Sequence, residues 1–244
     1  MQALIMAAGK GSRLYPLTED KPKSFVTIDD KKIIDYQIEL YKKNGINDII
    51  IVTGHMHEMI EEYVKDEVNV RTVYNPFYDL SNVLTSFWFG MSLLKEDFIY
   101  SHADTIFDEP ILMKLLEANG DIVLPIDIKP CGEEEMKIQV DENGHPLHLN
   151  KTMATEQALG EFIGVAKISA SSIPLLTQSA DKHIKNKNFS AFFEVALQDL
   201  INSNRELFTL VDVSEYYWNE IDFLEDYEKA RENFHLSSLG SLFK

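Results

Sequence analysis

The stretch ALIMAAGKGSR, residues 3–13, decides the fold of this chain. Its first half, residues 3–8, is an unbroken apolar run, which is typical of a strand buried on both faces of a parallel sheet. Gly9 and Gly11 then interrupt the run, as expected where such a strand reaches the sheet edge at which ligands bind. The stretch therefore predicts a buried first strand that ends in a glycine-containing loop.

Strand and helix patterns alternate along the rest of the chain. The predicted strands are residues 48–53, 70–74, 97–102, 121–125, 162–168 and 207–213. The predicted helices are a segment ended by Gly45 and residues 57–65, 83–94, 110–118, 192–201 and 224–233. Strands separated by helix-length segments predict a doubly wound α/β fold whose sheet is mixed but mostly parallel.

One segment departs from this alternation. Residues 136–141 and 146–150 flank Asn143-Gly144, a turn sequence typical of a β-hairpin. We expect this hairpin to lie over the sheet edge as a small insertion, at about residues 126–160. The length suits one domain over residues 1–244.

Composition and charge exclude several classes of partner. Hydrophobic residues make up 45% of the chain, as in ordinary globular proteins, and the formal net charge is −17. A surface this acidic repels phosphate polyanions, which argues against nucleic-acid and anionic membrane partners. The apolar run at residues 3–8 is too short for a membrane span and lacks the flanks of a signal peptide. Cys131 is the only cysteine, so we expect a reducing, cytoplasmic location.

The loop after the first strand has the chemistry of a phosphate-binding site. Glycines let backbone N–H groups approach phosphate oxygens, and Arg13 and Lys23 supply positive charge. A Gly-x-Gly pair alone is weak evidence, since many tight turns contain one. The wider spacing is more specific: G-x-G-x-R is followed by P-x-T and P-K. The residues at those positions are Gly9, Gly11, Arg13, Pro16, Thr18, Pro22 and Lys23.

This spaced set resembles the signature of the nucleotidyltransferases that activate sugar phosphates and choline phosphate. The resemblance covers roughly the whole chain, including Ala103-Asp104 after an apolar strand and Glu220-Ile221-Asp222 before the last helix. The pattern looks closest to the choline-phosphate and 2-aminoethylphosphonate cytidylyltransferase branch. It implies a Rossmann-like fold and attack of an acceptor phosphate on the α-phosphorus of an NTP, with release of pyrophosphate.

The resemblance also implies a metal site for Mg²⁺. Asp104 follows a predicted strand and so is expected at the ligand edge of the sheet. In an extended segment Glu220 and Asp222 project to the same side, which places two hard oxygen donors together. We expect Asp104, Asp222 and Glu220 as metal ligands, with His102 supporting them. The predicted catalytic residues are Arg13, Lys23, Asp104 and Asp222.

Further residues are predicted to bind the two substrates. The nucleotide site is expected to comprise Ala8, Gly9, Gly11, Ser12, Arg13, Lys23, Gly54, Asn82 and Ser86. Asn82 could equally cap the helix that begins near residue 83. For the acceptor we expect Lys151 to contact the phosphate, and Glu161 and Trp218 to face a cationic group. A solvated lysine is an equally good interpretation of Lys151.

The sequence thus predicts a Mg²⁺-dependent cytidylyltransferase that transfers CMP from CTP to a small phosphorylated or phosphonate amine or alcohol. Two alternatives stay open: a sugar-1-phosphate nucleotidyltransferase, and a noncatalytic nucleotide-binding regulatory module. The sequence leaves the oligomeric state open, and a homodimer is compatible with it. A metal-dependent glycosyltransferase is disfavoured, because its usual Asp-x-Asp pair is replaced by His102-Ala103-Asp104.

Overall fold

A computed structural model of the protein describes residues 1–242. Its strands are β1 (Gln2–Ala7), β2 (Thr27–Ile28), β3 (Lys31–Lys32), β4 (Asp48–Thr53), β5 (Val70–Tyr74), β6 (Phe98–His102), β7 (Thr105–Phe107), β8 (Ile122–Asp127), β9 (Lys137–Val140), β10 (Pro146–Asn150), β11 (Gly160–Phe162), β12 (Val165–Ile168), β13 (Phe208–Asp212) and β14 (Trp218–Glu220). Its helices are α1 (Ile33–Lys43), α2 (His57–Val64), α3 (Val83–Met91), α4 (Glu109–Glu117), α5 (Ile173–Lys185), α6 (Phe193–Asn204), α7 (Leu224–Asn233) and α8 (Leu239–Leu242).

Ten of these strands form one mixed sheet. Its order is β10-β9-β11-β8-β12-β6-β1-β4-β5, and β13 pairs with β8. The pairs of β1 with β4 and β6, of β4 with β5 and of β8 with β13 are parallel. The predicted doubly wound, Rossmann-like class with a mixed sheet is therefore confirmed. The antiparallel share is larger than the alternation predicts, because β12 enters between β6 and β8 in the opposite direction.

Helices cover both faces of the sheet, and β1 is buried along its whole length. Successive strand side chains point to opposite faces, so β1 supplies two cores. Ala3, Ile5 and Ala7 belong to the core that also contains residues of α1 and α4, and Leu4 and Met6 to the core that contains residues of α3, α5 and α6. Within residues 1–242, every helix is too short or too polar to cross a lipid bilayer.

Three predicted elements need correction. The strand predicted at residues 162–168 is two strands, β11 and β12, because Gly164 adopts φ +74° and a Cβ there would approach Nδ1 of His102 to 3.1 Å. The hairpin β9–β10 does not lie over the sheet. It extends the sheet edge, since β9 pairs with β11. Helix α5 was not predicted, and the helix predicted at residues 83–94 ends at Met91.

A short two-stranded ribbon brings the C-terminal part of the chain to the sheet edge. β14 pairs with β7 in antiparallel register, with Glu220 opposite Thr105. The N–H of Ile221 donates to the carbonyl of Asp104 at 3.0 Å. Because β7 follows β6 directly, this ribbon places Glu220 and Asp222 beside the residue that ends β6. The ribbon therefore links residues more than a hundred positions apart in sequence.

Candidate active site

A cleft of about 360 Å³ opens at the carboxyl ends of β1 and β6. Most of the residues that the sequence predicts to bind substrate or metal, or to take part in catalysis, line this cleft. Those residues are Ala8, Gly9, Gly11, Ser12, Arg13, Lys23, Asn82, Ser86, Asp104, Lys151, Glu220 and Asp222. The cleft therefore brings together the glycine loop, Glu220 of β14, Asp222 just after it and Asp104 just after β6, although the roles of these residues stay predictions.

The ammonium of Lys23 lies between two carboxylates in the floor of this cleft. Its Nζ donates to Oδ2 of Asp104 at 2.5 Å and to Oδ1 of Asp222. Nη1 of Arg13 lies 3.3 Å from Oδ2 of Asp222. Burial opposes protonation of Lys23, but the two carboxylates outweigh it and raise the pKa of this lysine above its ordinary value. Burial would raise the pKa of Asp222, yet Lys23 and Arg13 hold it below its usual range.

The donor set suits a divalent cation. Oδ1 of Asp104 is buried and has no hydrogen-bond partner among residues 1–242. Ligand atoms of His102, Asp104 and Glu220 all lie within 4.8 Å of one another. A buried carboxylate oxygen without a donor costs free energy that a metal ion can recover. Carboxylate oxygens are the ligands that Mg²⁺ prefers, so the residues present fit this ion.

His102 holds Glu220 in place. Its Nδ1 lies 3.3 Å from Oε1 of Glu220, and its Nε2 lies 2.9 Å from the hydroxyl of Tyr100. Burial alone would lower the pKa of His102, but the hydrogen bond and charge of Glu220 raise it to about 9. The imidazole, which also lines the cleft, thus orients the carboxylate of Glu220.

Thr18 and Gly11 explain part of the sequence signature in physical terms. Gly11 has φ +64°, which favours glycine, and a Cβ there would lie 2.9 Å from Cβ of Lys23. The hydroxyl of Thr18, which is fully buried, donates to the carbonyl of Gly11 at 2.7 Å. The threonine therefore ties down the glycine loop, and the glycine leaves room for the lysine chain to pass beneath it.

Gly54 does not line the cleft, in contrast to its predicted place in the nucleotide site. It packs under the loop: a Cβ on Gly54 would meet the carbonyl oxygen of Ala8 at 2.5 Å. The N–H of His55 donates to the same carbonyl at 3.1 Å. Close packing of two backbone segments requires a glycine at position 54. The sequence alone does not distinguish this reason from close contact with a ligand.

A Gly54→Ala substitution is expected to lower the free energy of unfolding by about 2 kcal/mol, because the added methyl group overpacks a backbone contact. Gly9→Ala is the matched control, since a Cβ on Gly9 meets no atom within 4 Å. The control should change stability by less than about 0.5 kcal/mol. Urea unfolding of both variants measures the difference, and equal losses would contradict this packing account.

Asn82 and Ser86 line the cleft, and each also has a structural partner. Oδ1 of Asn82 accepts from the N–H of Val83 at 2.8 Å and caps α3, which is the alternative that the sequence left open. The hydroxyl of the buried Ser86 accepts from Nδ2 of Asn75 at 2.9 Å. Their side chains are thus held in fixed orientations at the edge of the cleft.

Glu161 and Trp218 lie outside the lining of the cleft, and this corrects their predicted placement. Glu161 pairs with Lys129 at 2.8 Å, and Nε1 of Trp218 donates to Asp127 at 3.1 Å. Nζ of Lys129 also lies 5.0 Å from the centre of the Trp218 ring. Neighbouring side chains of a strand point to opposite faces, so Phe162 rather than Glu161 faces the cleft. The ammonium of Lys129 therefore occupies the place beside Glu161 and Trp218 at which the sequence predicts a cationic group of the acceptor.

Sequence reasoning missed several residues that line the cleft. Lys10 forms an ion pair with Asp79 at its rim. Phe162 and Phe192 supply apolar walls, and Nζ of Lys151 lies 5.6 Å from the Phe192 ring centre. Glu194, in the first turn of α6, is 3% exposed and faces the same space. The one signal in the sequence is that Glu194 is an acidic residue between the apolar residues Phe193 and Val195.

Comparison with known proteins agrees with this fold and with the family resemblance. The Nucleotidyl transferase family model matches residues 2–119. CTP:phosphoglutamine cytidylyltransferase of Campylobacter jejuni is 32% identical over 251 residues, which cover 93% of this chain and 98% of that protein. The chain is therefore an enzyme of the nucleotidyl transferase family, as the sequence resemblance predicts.

Other similar proteins also carry names of CTP-dependent transferases. Choline-phosphate cytidylyltransferase of Streptococcus pneumoniae is 43% identical over 103 residues, 42% of each chain. Among solved structures, the CTP:phosphocholine cytidylyltransferase of Streptococcus pneumoniae superposes with a TM-score of 0.76 at 24% identity, over 96% of this chain and 98% of that one. The inositol-1-phosphate CTP transferase of T. maritima gives 0.77 at 24% identity, over 95% and 93%. These structural likenesses concern the fold.

Proposed function

We propose that the protein is a Mg²⁺-dependent cytidylyltransferase. It transfers CMP from CTP to a small phosphorylated or phosphonate amine or alcohol and releases pyrophosphate. The observation that carries this proposal is the placement of Lys23, with Asp104 and Asp222 on either side of it, directly below the glycine loop. Cytidylyltransferase relatives that match over most or part of the chain support the choice of CTP.

Asp104, Asp222 and Glu220 would hold the metal ion. When bound, Mg²⁺ neutralises charge on the phosphoryl oxygens of the two anionic substrates and orients them. Lys23 lies between two carboxylates and lines the cleft, so its protonated ammonium can also donate to a phosphate oxygen there. His102 keeps the carboxylate of Glu220 directed into the cleft. Together with Arg13, the cations Lys23 and His102 face the three carboxylates of this cluster.

The glycine loop and Arg13 bind the triphosphate in this proposal. Arg13 is half-exposed and reaches the cleft from the loop side, where its guanidinium can donate to phosphate oxygens. Positive charge at this position stabilises the pyrophosphate as it leaves. A general base is unnecessary, because the acceptor phosphate is already ionised at neutral pH. The protein's contribution is therefore alignment and charge compensation.

Lys151 binds the phosphate of the acceptor. It lines the cleft beside Phe192, which directly precedes α6, and its charge contributes to the lowered pKa of Asp222. In this proposal the phosphates of the two substrates meet near Asp104 and Asp222. A sugar 1-phosphate is disfavoured as the acceptor, because Phe162, Phe192 and Met136 supply much of the wall on this side and do not satisfy the hydroxyl groups of a sugar ring.

A pyrophosphate-release assay tests the choice of substrates. The enzyme is incubated with Mg²⁺ and each of the four NTPs, against 2-aminoethylphosphonate, phosphoethanolamine, phosphocholine and glucose 1-phosphate. Release with CTP and an amine-bearing acceptor is the expected result. Release with glucose 1-phosphate alone would favour a sugar-nucleotide enzyme, and CTP binding without release for every acceptor would favour a regulatory module.

We also infer the setting in which this reaction occurs. The single cysteine, Cys131, is free, which suits a reducing cytoplasmic compartment. CTP and the acceptor are small-molecule partners, and the acidic surface favours neither nucleic acid nor anionic membranes. A homodimer stays a prediction, and size-exclusion chromatography with light scattering would test it.

A further inference from the structure

The carboxyl group of Glu194 is the one acid of the cleft without a cation beside it among residues 1–242. Asp104 and Asp222 contact Lys23, and Glu220 contacts His102. Glu194 forms no ion pair within the described part of the chain, and its Oε2 is buried without a hydrogen-bond partner. Glu194 is only 3% exposed, yet it lines the cleft. A buried carboxylate oxygen without a donor is costly.

The position of Glu194 in α6 stabilises its negative charge only in part. It lies in the first turn of a 12-residue helix, where the helix dipole favours an anion. Burial nevertheless raises the pKa of Glu194, although His102 and Lys151 act in the opposite direction. The carboxyl group therefore gains from a further donor, and the space in front of it is the acceptor side of the cleft.

The surroundings of Glu194 define the chemistry of that donor. Phe162, Phe192 and Met136 line the same part of the cleft, so a charge pair formed there is shielded from water and strengthened. Lys151, which we assign to the acceptor phosphate, also acts on Glu194 electrostatically. A ligand that joins an anionic phosphate to a cation is therefore complementary to this end of the cleft.

We propose that Glu194 determines acceptor specificity by accepting a hydrogen bond from a primary ammonium group of the acceptor. This inference rests on the proposed function, since it concerns the second substrate of the same site. A primary ammonium has N–H donors for the carboxylate of Glu194, whereas a trimethylated ammonium has none. The enzyme therefore prefers phosphorylated or phosphonate primary amines to choline-like and neutral acceptors.

Ligand binding tests this assignment without requiring turnover. Calorimetric titrations with 2-aminoethylphosphonate and with propylphosphonate, which replaces the ammonium by a methyl group, are made in the presence of Mg²⁺ and a non-reacting α,β-methylene analogue of CTP. The wild-type protein should prefer the amine. Glu194→Gln should weaken amine binding by about 10- to 100-fold, the range for a lost charge-assisted hydrogen bond, and leave propylphosphonate unchanged.

Controls separate specificity from folding. Glu117→Gln removes one acid from an exposed position and should change neither affinity. Glu194→Gln should melt at the wild-type temperature or higher, because a neutral amide replaces a buried carboxylate. The wild-type protein alone supplies a second test: it should bind 2-aminoethylphosphonate more tightly than the N-trimethyl derivative.

Two results would overturn the assignment: equal wild-type affinity for the primary and trimethylated ammonium, or an equal effect of Glu194→Gln on both phosphonates. Failure of the proposed function has a different signature. In that case no acceptor yields a CMP adduct, while the preference for the primary amine and its loss in Glu194→Gln remain measurable and support the assignment.

Discussion

An Asp104→Asn variant is expected to lose about a thousandfold in turnover, which corresponds to about 4 kcal/mol of transition-state stabilisation. The amide keeps the shape of the side chain and removes the negative charge that a Mg²⁺ ion needs. It also leaves the hydrogen bond from Lys23 with a neutral acceptor. Initial rates of pyrophosphate release at saturating CTP and acceptor measure the loss.

Two further measurements test whether Asp104 binds the metal ion. The Mg²⁺ concentration for half-maximal rate should rise in Asp104→Asn, because a ligand has lost its charge. The control Glu117→Gln should behave as wild type in both measurements, since it changes an exposed acid at the end of α4. A rate for Asp104→Asn within about threefold of wild type would contradict a role in metal binding, because that corresponds to less than 1 kcal/mol.

Lys23→Met is expected to affect stability and activity together. It removes the ammonium between Asp104 and Asp222 and leaves two nearby carboxylates without their shared cation. Breaking a buried ion pair from one side costs about 3 kcal/mol in unfolding free energy without metal. We expect turnover to fall by at least about a hundredfold, because charge on the triphosphate is no longer compensated at this position.

The stability loss should depend on Mg²⁺. An ion that binds the same carboxylates replaces part of the missing charge, so Mg²⁺ should raise the melting temperature of Lys23→Met more than that of wild type. Lys95→Met, at an exposed lysine, is the control and should show the wild-type response. Equal Mg²⁺ shifts in Lys23→Met and wild type would mean that Lys23 and the metal ion do not share these ligands.

Residues along the glycine loop and at strand ends could be predicted from sequence because their positions follow from local rules. The apolar run before Gly9 and the one before Asp104 each end at the ligand edge, and parallel pairing of β1 with β6 brings the two ends side by side. The spacing of Glu220 and Asp222 in an extended segment predicted that their side chains project to the same side. Periodicity therefore placed these residues near the sheet edge, and the family resemblance assigned them to a common site.

The acceptor side of the cleft could not be predicted in the same way. Whether Glu161 or Phe162 faces the cleft depends on the phase of β11, which the turn at Gly164 shifts relative to β12. Glu194 attracts attention only once α6 is known to bury it against the cleft. Gly54 is required by an approach to Ala8 that no local pattern reveals. These features arise from tertiary packing.

The most direct measurement is the mass and ³¹P NMR spectrum of the product formed from CTP, Mg²⁺ and 2-aminoethylphosphonate. We expect a CMP–phosphonate anhydride and pyrophosphate in equal amounts, and no such product with Asp104→Asn. Pyrophosphate accompanied by free CMP would mean that water attacks instead of the acceptor. That result, or a labelled CTP recovered intact with every acceptor tested, would contradict nucleotidyl transfer to a phosphorylated small molecule.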